Sequence, residues 1–136
     1  MVGGVIVTHG ALADGLLSAA EAITGTVEKI AALTIIRADS STAIRTKLSQ
    51  AIQKVNAGDG VIIFTDMFGG TPTNISLPFL KQGEVEILSG VNLPILIKFI
   101  SHRQAKRWSI AEFVIFLRDC GRESIVPAGD ILKEQH

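Results

Sequence analysis

Apolar residues occur along this chain in short continuous runs, which alternate with stretches where they recur every three or four positions. The continuous runs lie at 3–9, 30–36, 60–65 and 85–88, and each predicts a buried strand. The periodic stretches between them predict helices. This alternation indicates an α/β fold, with an open, mainly parallel sheet and helices on both of its faces.

The first two predicted helices each bury one apolar face and end at a glycine. The first ends near Gly25, and its predicted apolar face consists of Leu12, Leu16, Ala20 and Ile23. The second follows the polar residues at 39–42, any of which could cap its first turn, and it ends at Gly58. Each of these helices connects two predicted strands.

The last predicted helix has the clearest start signal. A capping box over 109–112 is flanked by Trp108 and Phe113, which occupy the positions of a hydrophobic staple. The helix is predicted to end just before Gly121. The short apolar segment 124–126 predicts a final strand, followed by a polar tail.

Composition limits the chain to one domain and gives it no bulk charge. The 136 residues, of which 47% are hydrophobic, provide one core, so residues 1–136 are predicted to be a single domain. Thirteen basic and 13 acidic residues balance, which argues against nucleic acid as a partner. The single cysteine and the lack of a signal-peptide pattern or a membrane-spanning run predict a cytoplasmic protein that does not insert into a membrane.

A histidine and an aspartate follow two of the predicted strands. His9 stands at the carboxyl end of the first strand, and Asp66 follows the third. Ligands of open parallel sheets bind at this edge. If Asp66 accepts a hydrogen bond from Nδ1–H of His9, Nε2 keeps a free lone pair and can act as a nucleophile or base.

A glycine pair beside Asp66 predicts an anion site. Gly69 and Gly70 lead into a helix with Thr71 as its predicted N-cap and Pro72 as its first residue, which exposes backbone N–H groups at the helix start. A phosphoryl group on Nε2 of His9 could rest there, because phosphoryl transfer requires mainly positioning and charge stabilisation. This chemistry needs no metal and no organic cofactor.

Other chemistries have weaker support. His102 and His136 lack the carboxylate or cysteine spacing of a metal site, and Cys120 is predicted to be a core residue. The sequence contains neither a Walker motif nor a dinucleotide fingerprint.

Four segments of the chain resemble the mannose-family IIA proteins of the bacterial phosphoenolpyruvate-dependent sugar phosphotransferase system. They lie at 5–10, 66–74, 89–94 and 121–125, and the resemblance covers nearly the whole chain. It implies that the histidine at position 9 takes a phosphoryl group from the carrier HPr and passes it to a IIB component. It also implies that Asp66 orients the imidazole and that Gly69, Gly70 and Thr71 surround the phosphate.

The resemblance has implications for partners as well. Gly10 and the exposed Phe68 are expected to contact partner proteins. A homodimer is expected in which the segment 124–126 is exchanged between subunits. Because the sequence ends at His136 without a IIB region, the expectation is that the acceptor is a separate protein or that there is none.

Three alternatives to phosphoryl relay stay open at the level of sequence. The first is a regulatory binding module that the phosphorylation of His9 controls, without sugar transport. The second is a small hydrolase in which His9 is the general base and Asp66 orients it. The third is a purely structural histidine. The basic segment 102–107 is expected to be a solvated loop in preference to a docking patch.

Overall fold

A computed structural model describes residues 1–134 of the chain. Its four strands are all parallel and are ordered β2-β1-β3-β4. The strands are β1 (Gly3–His9), β2 (Ile30–Ile35), β3 (Val61–Thr65) and β4 (Val85–Ser89). The helices are α1 (Leu12–Thr24), α2 (Ser41–Val55), α3 (Thr71–Ser76), α4 (Leu93–His102), α5 (Ile110–Glu123) and α6 (Ala128–Glu134), and a 3-10 turn (Leu77–Phe79) follows α3.

Helices cover both faces of the sheet, as the continuous apolar runs predict. On one face, Ile6 and Phe64 pack beneath α1, α4 and α5. On the other, Val5 and Val7 pack beneath α2 and α3. Successive strand residues point to opposite faces, so a strand buried on both sides must be apolar at every position. The predicted fold class is confirmed.

The sheet order brings the two candidate reactive residues together. β1 lies between β2 and β3, and Val7 pairs with Thr65 in the β1–β3 register. His9 and Asp66 lie just beyond this pair, at the carboxyl edge of the sheet. The two strands that carry them are therefore neighbours in the sheet.

Helix boundaries agree with several of the local signals. Ser40 caps α2 by accepting a hydrogen bond from the backbone N–H of Ala43 at 3.1 Å. Ser109 caps α5 in the same way, and the Trp108 and Phe113 rings stack with their centres 4.6 Å apart. The predicted hydrophobic staple is therefore present.

The predicted apolar face of α1 is correct at its two middle residues and wrong at both ends. Ala20 is fully buried and Leu16 packs against the core, but Leu12 and Ile23 are 47% and 63% exposed. Ala13, which is outside the predicted face, is fully buried. The hydroxyl of Thr8 accepts a hydrogen bond from the N–H of Ala13 at 2.7 Å, which anchors the first turn of α1 to the end of β1. The small alanine side chains then face the sheet.

Two predicted helix ends are also wrong. α2 ends at Val55, and Asn56, in an extended conformation, is its C-cap; Gly58 lies in the turn that follows. Gly121 does not end α5 but lies buried within it, where an added Cβ would be 2.5 Å from Cδ1 of Ile95. Glycine here permits close contact between α5 and α4.

The predicted strand at 124–126 is not a strand in this single chain. The segment is an irregular connection after α5, with Ile125 77% exposed, and α6 follows where a polar tail was expected. A strand requires a neighbouring strand for its hydrogen bonds, and none of the four strands pairs with this segment. Its exchange between two subunits stays a prediction.

The basic segment 102–107 is only partly the solvated loop expected from the sequence. Arg103 is 6% exposed, and its guanidinium donates to the backbone carbonyls of Glu28 at 2.6 Å and Val2 at 3.4 Å. Trp108 Nε1 donates to the His102 carbonyl at 2.7 Å. The segment therefore closes the amino-terminal edge of the sheet.

Within residues 1–134, none of the helices has the length and apolar character that a membrane crossing demands.

Candidate functional site

His9 and Asp66 form a direct hydrogen-bonded pair at the carboxyl edge of the sheet. His9 Nδ1 lies 2.8 Å from Oδ2 of Asp66, and the backbone N–H of His9 donates to the same oxygen at 3.0 Å. The other carboxylate oxygen accepts from the N–H of Met67 at 3.0 Å. A carboxylate only accepts, so Nδ1 carries the proton and Nε2 of the neutral ring carries the lone pair.

Exposure divides the roles within this pair. The His9 side chain is 50% exposed, whereas that of Asp66 is 14% exposed. Burial alone would raise the pKa of Asp66, but the hydrogen bonds and positive charge that His9 offers outweigh it, and the pKa lies below its ordinary value. Asp66 is therefore an ionised, fixed acceptor, and the imidazole is the group that an incoming molecule can reach.

Gly70 packs against the edge of the imidazole. A Cβ at this position would lie 2.8 Å from Cε1 of His9 and 3.4 Å from Nε2. Gly69, next to it, has a φ of +87°, which non-glycine residues rarely adopt. The glycine pair thus serves two different needs, namely space beside the ring and a left-handed turn.

The start of α3 differs by one residue from the sequence-based prediction. Gly70 is the N-cap, Thr71 is the first helical residue and Pro72 the second; no side chain caps this end. Within residues 1–134, the N–H groups of Gly69, Gly70 and Thr71 hydrogen-bond to no protein acceptor. Three consecutive backbone donors at the start of α3 are therefore left without a protein partner in this part of the chain.

A chain of hydroxyls, buried at Thr65 and Thr73 and half-buried at Ser89, supports the loop from below. Thr73 donates to the carbonyl of Met67 at 2.6 Å, Thr65 lies 2.7 Å from Thr73, and Ser89 lies 2.6 Å from Thr65. Each hydroxyl has one proton. Because the Thr73 proton goes to Met67, Thr65 donates to Thr73 and Ser89 donates to Thr65. The chain ties the ends of β3 and β4 to α3 and to the loop that carries Asp66.

Apolar side chains are exposed in the segments that follow His9 and Asp66. Phe68 is 77% exposed, Met67 54% and Leu12 47%. Gly10, also exposed, has a φ of +54° and turns the chain from β1 towards α1. Exposed apolar residues grouped around a reactive side chain are typical of a surface that another protein covers.

Comparison with known proteins agrees with this geometry. The family model described as "PTS system fructose IIA component" matches residues 3–115. This chain belongs to the mannose family of IIA components of the sugar phosphotransferase system. The match covers the histidine, the aspartate and the glycine loop.

Relatives of this IIA component include longer proteins. The mannose-specific EIIAB component of Escherichia coli is 29% identical over 122 residues, which are 89% of this chain and 38% of that protein. The chain therefore spans well under half of that relative. The fructose-specific EIIA component of Bacillus subtilis is 28% identical over 105 residues, which are 76% of this chain and 72% of that protein.

A solved structure has the same architecture as this IIA component. The crystal structure of phosphotransferase system component EIIA from Streptococcus agalactiae superposes with a TM-score of 0.85 at 28% identity. The superposition covers 96% of this chain and 99% of that one.

The sequence-based prediction for this IIA component named the exposed groups of the candidate site but not the hydroxyls that lie beneath its loop. Thr65, Thr73 and Ser89 were not assigned a role, although each is a hydroxyl residue at the end of an apolar strand or the start of a helix. That position is the signal that could have found them. Among residues 1–134, no group of three His, Cys, Asp or Glu side chains is placed to hold a metal ion, and His136 lies outside the described residues.

Proposed function

We propose that this IIA component is a phosphocarrier in which His9 accepts a phosphoryl group from phosphohistidine on HPr and passes it to a IIB component. The observation that carries the proposal is the 2.8 Å contact between Nδ1 of His9 and Asp66, which directs the lone pair of a half-exposed imidazole to Nε2. Membership of the IIA family supports the same chemistry.

The transfer step follows from this arrangement. The lone pair of Nε2 attacks phosphorus, a new N–P bond forms, and the N–P bond of the donor breaks with its electron pair returning to the donor imidazole. Asp66 stays ionised and stabilises the positive charge that develops on the ring as Nε2 bonds to phosphorus. In the second transfer the acceptor attacks phosphorus, and the electron pair of the N–P bond returns to Nε2 of His9. Nδ1 keeps its proton in both transfers.

The phosphoryl oxygens need donors that are already in place. The N–H groups of Gly69, Gly70 and Thr71 are assigned this role, because they have no protein acceptor within residues 1–134 and Gly70 packs against the ring edge. The exposed Phe68 and the turn at Gly10 are assigned to contact with HPr and the IIB component. We place the protein in the cytoplasm, where these partners act, and the relay uses no cofactor.

A direct test is intact mass spectrometry after incubation with phosphoenolpyruvate, enzyme I and HPr. The expected result is one acid-labile, base-stable phosphoryl adduct that is absent from His9→Ala. The thermal unfolding midpoint of His9→Ala should match that of the wild type, which excludes loss of the fold as the reason. Folded wild-type protein that gains no adduct, beside a known IIA protein that does, would contradict the proposal.

The proposal includes a homodimer in which the segment 124–126 is exchanged. Its support is the exposure of Ile125 and Val126, 77% and 47%, in a segment that makes no strand pairing within its own chain. Burial of these side chains against a second copy would remove apolar surface from water. Sedimentation equilibrium should give twice the monomer mass at micromolar concentration, and a monomer mass would refute the exchange.

A further inference from the structure

A cleft of about 690 Å³ lies at the edge of the sheet opposite His9. It forms where the amino ends of β1, β2 and β3 meet the connection between α4 and α5. Its polar lining consists mainly of Lys29, Asp59, Arg103, Lys106, Arg107 and Trp108. The phosphoryl relay uses none of these residues, so the cleft needs a separate explanation.

The charge of the cleft differs sharply from that of the whole chain. The chain has 13 basic and 13 acidic residues, yet four of the basic ones and only one of the acidic ones line this cleft. The one carboxylate of the lining, Asp59, is already paired with the amino group of Met1, whereas Lys106 lies 3.7 Å from the carboxylate of Glu112, which is outside the lining. Positive charge concentrated in a concave surface raises the local concentration of anions.

Arg103 is a buried charge with no carboxylate of the described residues within ion-pair distance, and the negative charge of Glu28 acts on it only from farther away. It is 6% exposed, and its guanidinium is held by two backbone carbonyls and by the Phe99 ring, whose centre is 5.3 Å from Cζ. None of the ion pairs formed among residues 1–134 includes Arg103. Buried charges are normally paired, because desolvation of a lone charge is costly. An anion in the cleft would supply a negative charge in direct contact with the guanidinium.

The remaining lining suggests what else the anion carries. Val2, Ala57 and the half-buried indole of Trp108 add apolar surface, and Lys106 Nζ lies 4.2 Å from the centre of the indole. Lys29, at the rim, has a φ of +57°, a conformation that non-glycine residues adopt mainly at functional or tightly constrained positions. A ligand that fits this lining has an anionic group and a compact apolar part.

We propose that this cleft is a second ligand site, which binds a small organic anion that joins a phosphate or carboxylate to a compact apolar group.

The chain contains a built-in reporter for this site. Trp108 is its single tryptophan, so indole fluorescence and the indole N–H signal in NMR spectra report on the cleft alone. The probe is phenyl phosphate, and parallel titrations use benzoate, inorganic phosphate and neutral benzyl alcohol. Sodium chloride at matched ionic strength corrects for general screening.

The expected result is a saturable change in both Trp108 signals with phenyl phosphate, and none with benzyl alcohol or sodium chloride. Benzoate and inorganic phosphate show which anionic group is preferred and whether the apolar part adds affinity. The Lys106→Gln/Arg107→Gln double variant should bind about tenfold or more weakly, which corresponds to the loss of one charge-assisted contact. These side chains are exposed, so the variant should fold normally.

Two controls make the test decisive. Lys47→Gln removes an exposed lysine of α2 outside the cleft and should bind the probe as the wild type does. His9→Ala should also bind normally, so a failed phosphoryl relay would leave this inference intact. No saturable response to either organic anion, or a response of equal affinity in the double variant, would overturn it.

Discussion

Replacement of Gly70 by alanine should impair phosphorylation of His9 while leaving the fold intact. The added Cβ would lie 2.8 Å from Cε1 of His9, and ordinary contact begins at 3.4 Å, so the ring or the loop must move by about 0.6 Å or more. The backbone of Gly70, with φ −86° and ψ 169°, is one that alanine adopts without strain. The perturbation therefore falls on the imidazole.

The size of the effect follows from the geometry of phosphoryl transfer. Misplacement of a reacting group by about 1 Å can cost about a hundredfold in rate, so we expect Gly70→Ala to be phosphorylated about ten- to a hundredfold more slowly. The assay is the time course of the phosphoryl adduct after mixing with phosphorylated HPr, followed by intact mass. Gly129→Ala, in α6 and with open space around the added Cβ, should react at the wild-type rate. A wild-type rate for folded Gly70→Ala would refute the reasoning that the ring is fixed by contact with this glycine.

Three further predictions concern stability. The pKa of Asp66 is lowered in the folded protein, so its ionised carboxylate stabilises the fold. This stabilisation is complete above the unfolded pKa of about 3.9 and is lost as pH falls through the folded pKa. In acid, the free energy of unfolding should therefore fall more steeply for the wild type than for Asp66→Asn. Thr73→Val should cost about 1–3 kcal/mol in urea denaturation because it leaves buried partners unsatisfied, whereas Thr73→Ser should keep most of this stability. Gly121→Ala should cost about 1–3 kcal/mol by overpacking, and Ile95→Val, which removes the clashing Cδ1, should recover part of it in a double-mutant cycle.

The sequence was most informative where one physical requirement determines the residue type. A strand covered on both faces must be apolar throughout, so the runs ending at His9 and Thr65 predicted their positions in the sheet correctly. A histidine and an aspartate after two such strands could then be placed at one edge. The contact between them also depended on β1 and β3 being neighbours, which is a property of the whole fold.

The failed predictions concern features that depend on contacts between elements. The face of α1 is set by small side chains and by the Thr8 hydroxyl, which periodicity does not register. Gly121 looked like a helix end, but its purpose is close packing against Ile95. Arg103 looked solvated within a basic segment, although two backbone carbonyls from distant parts of the chain hold it in the interior. The partners of Gly121 and Arg103 are remote in sequence, and the partner of the first turn of α1 is a side chain outside the helix.

The buried hydroxyl chain explains how an exposed imidazole can also be precisely placed. In the proposed relay the imidazole has to meet other proteins and cannot be enclosed by packing, so its position has to be fixed from the side that faces the protein interior. Asp66 does this directly, and Thr73 fixes the carbonyl of Met67, the residue that follows Asp66. Burying hydroxyls in place of methyl groups adds no hydrophobic stabilisation, but each hydrogen bond has a direction that apolar contacts lack. The polar residues at the carboxyl edge of the sheet are thus best understood as a rigid support for one reactive nitrogen.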